Sequence, residues 1–171
     1  MSCLLMAVWV FLAVASACAQ ELSVGGVQWH ERVVVKGRVQ KHPIGGWVHQ
    51  EKSRGFRGLT ARVEIRNEGP EQVEGVLVRY AFRPGIGLGK EELAWIPFYM
   101  EELRVPRLRP REVKWIWLPS VPLTRTLRTW MREGIAPAFV QLELGVFPRG
   151  REQLQNNLLV VRLPISYEPH D

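Results

Sequence analysis

The chemistry most readily suggested by the 171-residue chain sits at residues 85–90, Gly-Ile-Gly-Leu-Gly-Lys. A glycine-rich run before a lysine can wrap a phosphate, but both known spacings fail here. The phosphate-loop pattern needs Gly where Pro84 stands and Ser or Thr where Glu91 stands; the dinucleotide fingerprint needs Gly in place of Lys90. The run is expected to be a flexible loop between strands. Metal chemistry lacks ligands. His42 and His49 match no zinc spacing, and Asp171 is the sole Asp, so a calcium site rich in Asp cannot be built. Ser23, Ser53, Ser120 and Ser166 lie in no nucleophile-elbow sequence, and a triad would have to take its acid from Glu. No catalytic, cofactor-binding or metal-binding residue can be named. The expectation is a protein that is not an enzyme and has no cofactor, with a small hydrolase built on two Glu as the alternative.

Binding chemistry has more to draw on. Trp47 and Trp95 fall in irregular stretches, with Arg54 and Arg57 near the first of them. Large aromatics in loops can anchor a partner or stack on a sugar, and Arg can grip carboxylates, so these four are the expected ligand or partner contacts. The opposing reading folds Trp47 and Trp95 back as lids over the core. Trp115 and Trp117 share one strand face and are expected in the core, as is Trp130 on a helical stripe.

The address of the protein is written at its start. Leu4 to Val14 is apolar and uncharged, and Ala15-Ser16-Ala17-Cys18-Ala19 follows in small residues. That is the pattern of a secretory signal over residues 1–19, with cleavage after Ala19, although no Lys or Arg precedes the apolar run. A lipid anchor at Cys18 and a permanent membrane anchor are the alternatives. Both cysteines, Cys3 and Cys18, lie inside this segment, so residues 20–171 carry no thiol or disulfide. Export without disulfides points to a bacterial envelope, periplasmic or extracellular. The net charge of +6 comes from eighteen Arg and five Lys spread along the chain. Most are expected on solvated strand faces. The partner expected is another envelope or secreted protein; anionic polysaccharide or lipid head groups are the alternative, and nucleic acid is not expected.

These residues must be positioned by strands, because the dominant period is two. Leu59 to Arg66 alternates apolar and polar at every position. Asn67-Glu68-Gly69-Pro70 then reads as a turn, with Asn67 and Gly69 as its structural residues. Val76 to Phe82 follows as a neighbouring antiparallel strand. Further strands are expected within 28–39, 102–108, 113–118, 139–147 and 159–165, about seven in all. One short helix is expected over 123–133, with Pro122 at its start and Gly134 at its stop. Residues 20–171 are one all-β domain, an antiparallel sandwich.

The order of these pieces resembles the CARDB domain, the cell-adhesion-related domain found in bacteria. Four segments carry the resemblance: Val63 to Gly69; Val76 to Phe82; Val105 to Glu112 leading into Val113-Lys114-Trp115-Ile116-Trp117; and Gln155-Asn156-Asn157 leading into Leu158 to Ile165. The chain departs from the family at Arg111, where the family often has Gly, and at 84–98 and 123–133, which look like insertions. The resemblance implies an immunoglobulin-like sandwich and a binding or adhesion role. Asn156 and Asn157 are expected to cap backbone groups where the last strand begins.

Overall fold

The computed structural model describes residues 22–49, 57–88, 91–94, 100–150 and 158–167. They form ten strands and one helix: β1 (Leu22–Val35), β2 (Arg38–Ile44), β3 (Trp47–His49), β4 (Arg57–Asn67), β5 (Val73–Leu88), β6 (Glu91–Ala94), β7 (Met100–Leu108), β8 (Val113–Leu118), α1 (Val121–Arg132), β9 (Phe139–Phe147) and β10 (Leu159–Tyr167). The chain is all-β, as its period of two implies. One sheet runs β2-β1-β4-β8; the other runs β3-β10-β9-β5-β6, with β7 also paired to β5. Every ladder is antiparallel except the short β3–β10 pair.

The two sheets face each other across one apolar core, and alternation decides what enters it. Leu59, Ala61, Val63 and Ile65 of β4 are fully buried, while Arg62, Glu64 and Arg66 point the other way. Val76, Val78 and Tyr80 of β5 and Val140, Leu142 and Leu144 of β9 meet them from the second sheet. Trp29 of β1 packs on Phe82 of β5, with ring centroids 5.7 Å apart. Helix α1 closes one end by burying Leu123 and Leu127, and Gly134 ends it at a φ of 76°. Ser120 bonds the Leu59 carbonyl and so ties the start of α1 to β4.

Three expectations need correction. The expected seven strands become ten, because the chain turns at Lys36-Gly37 into a separate strand β2 and because β3 and β6 add short edges. Both turn residues have positive φ, 49° and 75°, which suits a tight hairpin between twisted strands. Residues 84–88 are not a flexible loop but the end of β5, where Gly85 pairs with Ala94 and Phe139. Glycine serves packing there, since the Phe139 ring occupies the space a Cβ would need. Finally, Trp115 and Trp117 do not fill the core. Ile116 and Leu118 do, because they pair with Val63 and Ala61 on the inward face of β4. Lys114, the one polar residue of the strand, shares the inward face with them, so alternation points to the wrong phase.

Asn67 behaves as a turn residue and as more than that. It is 1% exposed, and its Oδ1 accepts the Gly69 N–H at 3.1 Å. Its Nδ2 donates to the carbonyls of Glu71 at 2.6 Å and Arg109 at 2.9 Å, and its backbone N–H donates to Glu112 at 3.0 Å. One side chain therefore joins the turn after β4 to the turn between β7 and β8. Asn67→Ala removes the acceptor of the buried Gly69 N–H and the side-chain donor to the Glu71 carbonyl, and breaks the side-chain link between the two turns. The expected loss is about 3 kcal/mol, at the upper end for deleting a buried bonding partner, to be read from the shift of the urea midpoint.

Candidate functional site

Of the four expected contacts, Trp47 is placed differently from the reading that named it. It sits in β3, paired with Ile165, and is 7% exposed. Its indole Nε1 donates to Glu31 Oε1 at 3.2 Å, so it ties the edge of one sheet to β1 of the other. That is the lid reading, and it withdraws Trp47 from solvent contact. Arg57 begins β4. Trp95, Arg54, Asn156, Asn157 and the signal at 1–19 lie outside the described residues.

The aromatic surface lies instead on the outer face of the four-stranded sheet. Trp115 and Trp117 alternate with buried Ile116 and Leu118, and they are 38% and 39% exposed. Cations dress both rings. Lys41 Nζ of β2 lies 3.5 Å from the Trp117 centroid, and the Arg62 guanidinium carbon lies 4.7 Å from that of Trp115 and 5.9 Å from that of Trp117. Since β8 and β2 are the two outermost strands of this sheet, Trp117 leans over β4 toward β1 and the long Lys41 side chain comes in from β2 to meet it. On its way it covers His30 of β1, edge to face, at 4.8 Å. Arg62 is also held by Gln28 Oε1 at 2.8 Å. Trp115 lies over Gly26 next to the β1 bulge.

The face is electrostatically unbalanced. Arg32 of β1 stands directly opposite Lys41 in the β1–β2 ladder, a like-charge pair that costs stability. Glu64 is engaged by Arg66, and Glu31 bonds Trp47. Among the described residues no carboxylate bonds Arg32, Lys41 or Arg62. Burial, and then the Arg32 charge, lower the Lys41 ammonium from its usual range. His30, 6% exposed, has neither ring nitrogen hydrogen-bonded. Burial first, then the charges of Arg62 and Lys41, hold its imidazole below its ordinary value.

A second concavity lies between α1 and the sheet, lined in part by Tyr80, Phe82, Glu101, Leu123 and Thr126. The Tyr80 hydroxyl donates to Glu101 Oε2 at 2.6 Å and lies 3.3 Å from the Pro119 carbonyl. Burial and the Glu101 carboxylate push the phenol well above its usual range. This pair ties β5 to β7, and the Thr126 hydroxyl in the same lining donates to the Pro122 carbonyl at 3.1 Å.

Reading the sequence alone missed Lys41, Arg32, His30 and the outward Trp pair. The signal was nonetheless there. A two-residue turn at Lys36-Gly37 pairs Val35 with Arg38, and counting outward sets Arg32 against Lys41. No family model and no curated protein matches the chain.

The depressed His30 fixes the sign of a pH effect. The unfolded chain takes up a proton near the ordinary histidine value of 6.5, whereas folded His30 resists it. Folded stability therefore falls as pH drops below about 6.5 and is regained above it. Urea midpoints at pH 7.5 and 5.5 should separate in the wild type, and His30→Phe, which keeps a ring under Trp117, should remove that part of the difference.

Proposed function

We propose that the chain is an exported, non-catalytic binding module of the bacterial envelope, with an immunoglobulin-like sandwich fold, that docks an acidic protein partner on its Trp115–Trp117 face. The observation that carries this reading is the pair of exposed indoles braced by Lys41 and Arg62, with no carboxylate among the described residues bonded to either cation. Exposed Trp and Arg are what the centres of protein interfaces are enriched in. A sugar would need the flat ring faces, and Lys41 and Arg62 already occupy one side of each; that favours a protein over a polysaccharide.

The sandwich reading draws support from the strand order. The chain pairs β1-β4-β8 on one side and β10-β9-β5-β7 on the other. Labelled in immunoglobulin fashion these are A-B-E and G-F-C, with β7 moved next to C. The turn before β8 adds support for the CARDB resemblance. Arg111, where that family often has Gly, has a φ of 57°, the left-handed region that favours glycine.

The test uses the chain from Gln20 immobilised on a sensor surface, with poly-glutamate and polygalacturonate as acidic probes at matched charge. Poly-glutamate should bind, weaken as salt is raised, and lose at least tenfold in affinity with Trp117→Ala or Arg62→Glu. Retention of polygalacturonate alone would turn the assignment to an acidic polysaccharide. Retention of neither would remove the acidic-partner reading.

A further inference from the structure

We infer that Arg32, Lys41 and Arg62, with buried His30 between them, form a seat for the carboxylates of an acidic protein segment. This rests on the acidic-partner reading and gives it a location and a ligand chemistry. Four strands supply the site. β1 gives His30 and Arg32 on the same outer face, two residues apart. β2 sets Lys41 directly across from Arg32. β4 sets Thr60 across from His30, with Arg62 the next outward residue. β8 brings Trp117 over His30.

Two independent features point to a missing anion. The first is charge: three cations converge, two of them directly opposed in the ladder, and among the described residues no carboxylate reaches any of them. A folded sheet bears this repulsion in the free state, and a bound anion reverses its sign. The second is unmet hydrogen bonding. His30 is more than nine-tenths buried, and neither nitrogen has a partner; Arg32 Nε is likewise enclosed without an acceptor. Groups of this kind are normally satisfied. A carboxylate accepts from both a guanidinium edge and a ring N–H, which no neutral ligand does as well.

The chemistry favours carboxylate from a protein chain over other anions. Successive acidic side chains of an extended segment repeat at nearly 7 Å on one face, which allows more than one to engage cations that are themselves carried on three neighbouring strands. Trp117 forms the adjoining wall, and its exposed rim offers contact to the segment's backbone and apolar atoms.

The experiment titrates the chain from Gln20 with hexaglutamate, inorganic phosphate and trigalacturonate at equal ionic strength, by calorimetry. Hexaglutamate should bind the wild type and lose at least tenfold in affinity in the Arg32→Gln/Lys41→Gln variant. A second readout needs no variant: the His30 ring, followed by NMR against pH, should move its midpoint upward by at least about half a pH unit when hexaglutamate is bound, because an anion beside it favours the protonated form. Equal binding to wild type and variant, or a His30 midpoint that does not move, overturns the seat while leaving the acidic-partner reading in place. Failure of hexaglutamate to bind the wild type overturns both. Tighter binding of phosphate or trigalacturonate than of hexaglutamate overturns the assignment to a protein segment.

Discussion

The structure hangs on the register of β8 against β4, and Asn67 sets it. A one-residue slip in a strand exchanges its two faces. In β8 that exchange would drive Trp115 and Trp117 into a space filled by Ile116 and Leu118, and would take both indoles away from Lys41 and Arg62. Large apolar residues stand on both faces of Val113 to Leu118, and its one polar residue, Lys114, shares the inward face, so hydrophobic patterning alone does not hold this phase. The constraint is applied at the strand's entrance. Asn67 holds the carbonyl of Arg109 with its side chain and the carbonyl of Glu112 with its backbone, so the chain enters β8 at a fixed residue. Arg111 takes a left-handed conformation within that same turn, and Glu112 closes it by accepting the Arg109 N–H. The aromatic surface is thus positioned by a polar residue some distance from it.

The outer faces of the two sheets dispose their charges and rings in opposite ways. On the second sheet, Arg79 pairs with Glu102 at 2.7 Å, Arg83 with Glu143 at 2.9 Å, and Arg162 bonds Gln141 at 2.8 Å. Its aromatics lie low: Phe139 sits on Gly85 and Phe147 on Gly145, each under 8% exposed and each with an arginine over the ring. Two of its arginines have carboxylate partners, and both rings are put away. The first sheet uses the same parts with the opposite outcome. Trp115 lies over Gly26 but stays well exposed, and among the described residues no acid bonds the cations on the rings. The difference is in composition across strands, which is a property of pairing and cannot be seen in any one strand.

That also explains how much could be read from the sequence. The strict alternation of Leu59 to Arg66 gave β4 its faces, the spacing of Leu123 and Leu127 gave α1, and Asn67-Glu68-Gly69-Pro70 gave a turn, because each is a local pattern with one physical solution. β9 was legible to the residue, since Phe139 and Phe147 are bounded by Pro137 and Pro148. In β8 the two indoles share one face and Lys114 stands on the other, so alternation points the indoles inward, against the observed register. Trp47 was taken for a loop residue because three residues are too few for a period to show; its partner in β10 lies more than a hundred positions on. Glycines in 85–87 looked like flexibility because sequence reports a missing side chain but not the ring that fills its place.

Rigidity is what makes the cationic face suited to binding. Lysine and arginine lose considerable side-chain freedom when a ligand fixes them, and that loss is set against the affinity gained. Here much of it has been met by folding. Lys41 is laid on Trp117, and Arg62 is laid between Trp115 and Trp117 with its Nε bonded to Gln28. The Trp117 indole meets Lys41 from β2 and Arg62 from β4, so one aromatic ring holds together cations that repel one another. Removing the indole would therefore release the charges as well as the contact area. A face organised in this way holds its positive charge in place ahead of any partner, and the partner it suits is one whose acidic groups arrive in fixed positions too.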